Sequence, residues 1–204
     1  MTAASRRRFV LASASPARRR LLAAAGIAAE VIVSGVDESE ITATPVGSFA
    51  AAIAAAKAET VAATLDDAVV LGCDSLLDLD GTAHGKPVDA ADAVARWARI
   101  AGATGVLHTG HSLLDVRAGE ITGRCTRTAS TTVHFGRPTE REVAAYIGTG
   151  EPLQVAGAFT LDGYGGWWVD AIEGDHGTVL GLSLPLLRSM LAGFGLSPID
   201  FWAP

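Results

Sequence analysis

Short apolar runs alternate with helix-like stretches in the first half of this chain and then give way to long strands joined by tight turns. That order constrains the fold more than any single motif does. Phe9 to Ala12 is apolar and reads as a first strand, and Ser15-Pro16 opens a helix with proline at its first position, Leu21 and Leu22 inward and Gly26 at its end. Val31-Ile32-Val33 is expected as a second strand, leading into the acidic loop Gly35-Val36-Asp37-Glu38. An alanine-rich helix follows over Phe49 to Leu65, then a buried strand Val69 to Gly72 and a run Leu76 to Leu79 into a hairpin turn at Asp80-Gly81. Asp89 caps a helix to Ile100 whose inner face is expected to carry Val94, Trp97 and Ile100. Val106 to Val116 and Ile121 to Phe135 read as strands around the Ala118-Gly119 turn, and Thr139 to Glu142 is a capping box opening a helix to Ile147. Trp167-Trp168-Val169 is expected as a strand, and Pro185 to Phe194 as a closing helix. Helices that alternate with strands, followed by hairpins, predict an α/β fold on a mixed sheet.

Bulk properties narrow the function classes. A 204-residue chain that is 49% hydrophobic and 19% charged can bury a substantial core. Its net charge of −6 argues against a nucleic-acid-binding surface, while a small anionic ligand can still find a local basic pocket. The longest apolar run, Phe49 to Ala56, is far short of the ~20 residues that span a bilayer, so no membrane partner is expected. Arg6-Arg7-Arg8 before Phe9 to Ala12 resembles a signal peptide only faintly, because the apolar stretch is too short; a cytoplasmic location is expected. Cys73 and Cys125 have no metal-ligand spacing and read as free thiols.

Fourteen of the sixteen basic residues are arginine, the exceptions being Lys57 and Lys86. A lysine among so many arginines points to a place where a compact point charge serves and a planar fork does not, such as one phosphate oxygen. Ser13-Ala14-Ser15-Pro16-Ala17-Arg18-Arg19-Arg20 puts hydroxyls and basic residues at a helix start, where free N–H groups attract anions and cations are unfavourable, so an anion is expected to compensate. Asp74, directly after a buried apolar strand, is placed at that strand's carboxyl end, able to bind a divalent metal or take a proton from water. Asp78-Leu79-Asp80-Gly81-Thr82 matches the haloacid-dehalogenase phosphatase signature, with Asp78 as nucleophile, and also reads as a plain hairpin turn. Gly81 to Lys86 mimics a P-loop one residue short, and no dinucleotide fingerprint is present. His108 and His111 fall on opposite faces of one strand, a poor pair for a shared metal. His176 beside Asp175 reads as solvated, and one of Trp167 and Trp168 is expected in the core.

Taken in order, these segments resemble the Maf proteins, nucleoside triphosphate pyrophosphatases. The resemblance rests on Ser13-Ala14-Ser15-Pro16 with Arg18, Gly35 to Glu38, Ala56-Lys57-Ala58 and Gly72-Cys73-Asp74-Ser75. It continues through Leu79-Asp80-Gly81 to Gly85-Lys86-Pro87 and Asp89, Glu151-Pro152-Leu153 with Ala156 to Phe159, and Val179 to Pro185. It implies a single domain over 1–204, with an elongated, twisted mixed sheet, flanking helices and a cleft between two lobes, like inosine triphosphate pyrophosphatases. It further implies hydrolysis of a nucleoside triphosphate to monophosphate and diphosphate with a divalent metal, Mg²⁺ or Mn²⁺. On that likeness Asp74 is the proton acceptor, Glu38 and Asp74 hold the metal, and Ser13, Arg18, Lys57, Ser75 and Lys86 hold the triphosphate. A homodimer is left open, as is a non-catalytic nucleotide-binding regulator of cell division.

Three positions depart from the family pattern. Ala17 stands where a first arginine is usual, Val155 where a lysine is usual, and Asp162 where thymidine- and uridine-triphosphate members carry glutamine. Asp162 is assigned to the base, and as an acceptor-only group it favours an edge rich in donors.

Overall fold

The computed structural model describes residues 7–202. Arg6 lies outside them, while Arg7 and Arg8 pin the start of the first strand through ion pairs, Arg7 to Asp67 and Asp115 and Arg8 to Glu30. The elements run β1 (Phe9–Leu11), α1 (Pro16–Ala24), β2 (Glu30–Val31), α2 (Val46–Ala62), β3 (Asp67–Leu79), β4 (Thr82–His84), α3 (Ala90–Ile100), β5 (Thr104–Arg117), β6 (Glu120–Phe135), α4 (Glu140–Gly148), β7 (Val169–Glu173), α5 (His176–Leu180) and α6 (Leu184–Gly193). They build the expected α/β architecture, an open mixed sheet of seven strands in the order β2-β1-β3-β5-β6-β7, with β4 paired to β3. β2, β1 and β3 are parallel; every other pairing is antiparallel. None of the helices among the described residues is long and apolar enough to cross a membrane.

β3 and β5 alternate their side chains across the sheet. One face packs on α2 through Val10, Ala58, Val61, Ala62, Val70 and Leu114. The other face carries two cores in sequence. Leu71, Cys73 and Leu113 meet Leu22, Leu187 and Leu191 at one end, while Leu77, Leu79 and Leu107 meet Trp97, Ile100, Tyr146 and Phe159 at the other. Polar Ser75 and Thr109 occupy the interval between those cores.

One edge of β3 is interrupted. β1 covers it from Val69 to Leu71 and β4 covers it from Leu77 to Leu79. From Gly72 to Leu76 neither strand pairs with it, although β5 continues along the opposite side, with Asp74 across from Gly110. The expectation that Asp74 lies at a strand's carboxyl end is therefore corrected. Asp74 is mid-strand, because β5 carries β3 straight through Gly72-Cys73-Asp74-Ser75 and only the β1 edge stops.

Other expectations shift for local reasons. β2 pairs only at Glu30 and Val31, and Val33 passes on to the wall of a cavity. The inner face of α3 is Ala93, Trp97 and Ile100, since Val94 points outward at 50% exposure. Trp167 and Trp168 lie in a 3-10 turn, Tyr164–Trp168, rather than a strand; Trp168 packs on the Trp97 core and Trp167 is exposed.

Candidate active site

A cavity of about 950 Å³ opens at the interrupted edge of β3. Its walls include Ser13, Arg18, Glu38, Lys57, Asp74, Ser75, Lys86 and Asp162, so every site residue implied by the Maf resemblance lines one space. Because successive β-strand residues face opposite ways, Asp74 turns toward α2 and Ser75 toward α1. An exposed edge lets one ligand reach both.

On the Asp74 side, α2 lies close against the sheet. A Cβ on Gly72 would fall 2.2 Å from the Ala54 carbonyl oxygen, and one on Gly110 would fall 2.3 Å from that of Ala50. The glycines admit the helix backbone, and its alanines leave nothing to hold it off. Lys57 is thereby delivered to Asp74: its Nζ donates to Oδ1 at 2.7 Å. The same ammonium lies 2.6 Å from Glu38 Oε1, on a 3-10 turn, Glu38–Glu40, capped by Asp37. Lys57 and Asp74 are nearly buried, whereas Glu38 is half exposed. Burial pushes the Asp74 carboxyl above the ordinary aspartate range, with Lys57 and Arg18 pulling against it. Glu38 thus reaches Lys57 from a turn in the expected acidic loop.

On the Ser75 side, Arg18 is a hub. Its Nε donates to the Gly181 carbonyl at 2.8 Å, Nη1 to Ser13 Oγ at 3.0 Å and to the Cys73 carbonyl at 2.8 Å, and Nη2 to Ser75 Oγ at 3.1 Å. Four of its five N–H donors are thereby committed to the protein. Arg18 ties β1, β3 and the α5–α6 turn together, and at most one donor is left for a phosphate. Ser15 caps α1 by accepting from Arg18 N, and Pro16 has no N–H, so the first turn keeps the Ala17 N–H for a ligand, on a residue that lines the cavity. Arg19 and Arg20 are exposed, and Arg20 Nη2 lies 3.5 Å from Asp162 Oδ2 across the cavity mouth.

Sequence reasoning missed the support beneath this hub. Thr109 Oγ1 sits 2.9 Å from Ser75 Oγ and donates to the Thr178 carbonyl at 2.7 Å. His111 is fully buried. Its Nδ1 lies 3.0 Å from the Thr109 carbonyl and its Nε2 accepts from Ser183 N at 2.9 Å, so the ring is neutral with the proton on Nδ1. Burial pushes its pKa down to about 4. The available signal was the pair Thr109 and His111 on alternate residues of one strand, which places both on the face opposite His108. His108 itself is apart, 2.8 Å from Ser130 Oγ. His176 starts α5 with its side chain largely in solvent.

Asp78 does not reach the cavity wall. Its Oδ1 accepts from Gly81 N at 2.7 Å and closes the hairpin, in which Asp80 and Gly81 have φ of 52° and 80°. The D-x-D-G-T string is turn chemistry here. Gly81 belongs to the same turn and does not line the cavity.

Comparison with known sequences gives the same site a family. The pattern described as Maf-like protein matches residues 8–194. The chain belongs to the Maf-like family. A nucleoside triphosphate pyrophosphatase of Streptomyces coelicolor is 55% identical over 206 residues, covering 100% of this chain and 98% of that protein. Proteins of the same name from Salinispora tropica and Nostoc punctiforme are 53% and 47% identical, covering 96% and 95% of this chain and 88% and 97% of their own. In this Maf-like chain no group of three or more His, Cys, Asp or Glu side chains comes together among the described residues. Glu38 and Asp74, which converge on the Lys57 ammonium, are the carboxylate pair that could receive a cation.

Proposed function

We infer that this Maf-like chain hydrolyses a nucleoside triphosphate to the monophosphate and diphosphate, the activity for which its relatives are named. One observation carries the reading of the site. A single ammonium, Lys57, is held between a nearly buried carboxylate and a half-exposed one at an open strand edge, in the same cavity as Lys86 and the α1 N-terminus.

A triphosphate resists water because its own charge repels the nucleophile, so cations must neutralise its oxygens and the departing diphosphate. Lys86, the Ala17 N–H, Ser13 and the remaining donor of Arg18 are assigned to the phosphates, with Lys57 joining them from its carboxylate partners, while Ser75 gives its proton to Thr109 Oγ1 and contributes by holding Arg18. Asp74 takes the proton of the attacking water. The water oxygen joins phosphorus as the α–β anhydride bond breaks, and the electron pair leaves with the diphosphate. A carboxylate whose pKa is raised by burial is the better base for that step. A divalent ion, Mg²⁺ or Mn²⁺, fits the donor set, since such ions take one or two carboxylates and complete their shell with phosphate oxygens and water. Glu38 and Asp74 would hold it; when bound, it neutralises phosphate charge and polarises the reacting centre. We read residues 1–204 as one domain of two lobes, each centred on one of the two cores, acting on free nucleotides in the cytoplasm.

The test is a panel of purified nucleoside triphosphates with Mg²⁺ and Mn²⁺, scored for diphosphate against orthophosphate. Diphosphate release, lost in Asp74→Asn and kept in Asp78→Asn, is the expected result. Orthophosphate as the product would overturn the reading. The same panel tests base choice. Asp162, paired at the cavity mouth with Arg20, offers acceptors to a donor-rich base edge, as carboxylates do in reading the cytosine amino group. Weaker use of dTTP and UTP than of guanine or cytosine nucleotides is expected, and a clear dTTP or UTP optimum would sink the assignment.

A further inference from the structure

Lys86 rides on a segment with no regular structure, between the end of β4 at His84 and the α3 cap at Asp89. Pro87 is buried and Lys86 is exposed, so the chain turns its lysine outward and anchors beside it. The anchor comes from α3. Arg96 Nη1 donates to the Gly85 carbonyl, and Nη2 donates to the Lys86 carbonyl at 3.3 Å. Asp92, one turn earlier on the helix, grips the same guanidinium at both ends, Nε to Oδ1 at 3.1 Å and Nη2 to Oδ2 at 2.7 Å. Asp92 Oδ2 also accepts from Val88 N at 3.0 Å. One ion pair thus holds the backbone on both sides of Lys86-Pro87. Gly157 N also donates to the Gly85 carbonyl, at 3.0 Å.

A solvent-facing pair spaced four apart on a helix contributes little. This pair is different in kind, because Arg96 is only 14% exposed and its donors span two carboxylate oxygens and two carbonyls at once. A lysine cannot reproduce that, since its three donors radiate from one atom. Arg96 does not line the cavity, so it meets no ligand there directly.

We propose that Arg96 is a positioning residue for phosphate binding: with Asp92 it fixes the backbone of Gly85 to Val88 so that Lys86 meets the triphosphate. This rests on Lys86 being a phosphate ligand, as read above.

The test is a double-mutant cycle on kcat/KM for the preferred nucleotide, using Arg96→Lys, Lys86→Gln and the pair, with thermal unfolding measured alongside. Misplacing the ammonium by about 1 Å is expected to lower kcat/KM by roughly 10- to 100-fold in Arg96→Lys. In the Lys86→Gln background the same change should add no further loss, which a merely structural role would not produce. Asp92→Asn supplies a milder variant with the arginine intact and should fall between wild type and Arg96→Lys. Unimpaired turnover in Arg96→Lys and Asp92→Asn, with Lys86→Gln defective, would overturn the positioning role alone. A full additional loss in the double variant would do the same. Full activity in Lys86→Gln would remove the phosphate role of Lys86 and the inference with it.

Discussion

Lys57 shows at the scale of one residue why charge alone does not specify a site. Its Nζ sits 2.6 Å from one carboxylate and 2.7 Å from another, a spacing suited to a single compact ammonium. A guanidinium of the same charge spreads over a plane and cannot occupy that point. Lys57→Arg is therefore expected to lose at least about tenfold in kcat/KM while remaining folded, as steady-state assays and melting curves would show; wild-type turnover would refute this. Asp74 gives a second prediction. Its folded-state pKa lies above the ordinary value, so its ionised form costs stability that the protonated form does not. The sign follows: its contribution to stability is greatest below the unfolded pKa and is lost as pH rises through the folded one. Metal-free Asp74→Asn should be inactive yet melt no lower than wild type at neutral pH. A marked drop in melting temperature there would contradict the raised pKa.

Among the elements, α2 and β3 are seated most tightly on one another. Gly72 and Gly110 face the helix backbone, where any Cβ meets main-chain atoms that no rotamer change can move aside. Gly110→Ala should destabilise by about 1–3 kcal/mol or more, as overpacking does, and should lower activity through the Lys57–Asp74 contact. Urea unfolding and assay of one preparation would check both. His111, which joins β5 to the α5–α6 turn, adds a pH-dependent element. Its folded pKa of about 4 lies below the ordinary histidine value of 6.5, so its contribution is full above 6.5 and declines as pH falls toward 4. Melting temperature should fall more steeply between pH 7 and 5 in wild type than in His111→Gln, and parallel slopes would refute it. Most of the strands and their hairpins were legible in the sequence, because apolar runs and Asp-Gly or Ala-Gly turns are local signals, and so was Asp74 as a carboxylate carried by the buried strand β3. The gap in the β3 edge was not legible, since it depends on where β1 stops and β4 begins. Nor were the partners of Arg18, which come from residues as far away as Gly181. Arg18 reads from the sequence as a phosphate ligand, and the fold uses most of it as a brace.

For the molecule as a whole, the cavity is placed by the way two hydrophobic cores share one sheet face. Leu71, Cys73 and Leu113 belong to one, and Leu77, Leu79 and Leu107 to the other, so β3 and β5 run through both. Polar residues fill the interval, and the ligand space opens beside them. The glycine-and-alanine seat of α2 on that sheet has a consequence for how activity fails on heating. A contact made of main chain against main chain has few side chains that could loosen one rotamer at a time, so it is either closed or gone. Turnover should therefore climb with temperature up to the cooperative melt and vanish together with it, with no inactive but folded interval in between.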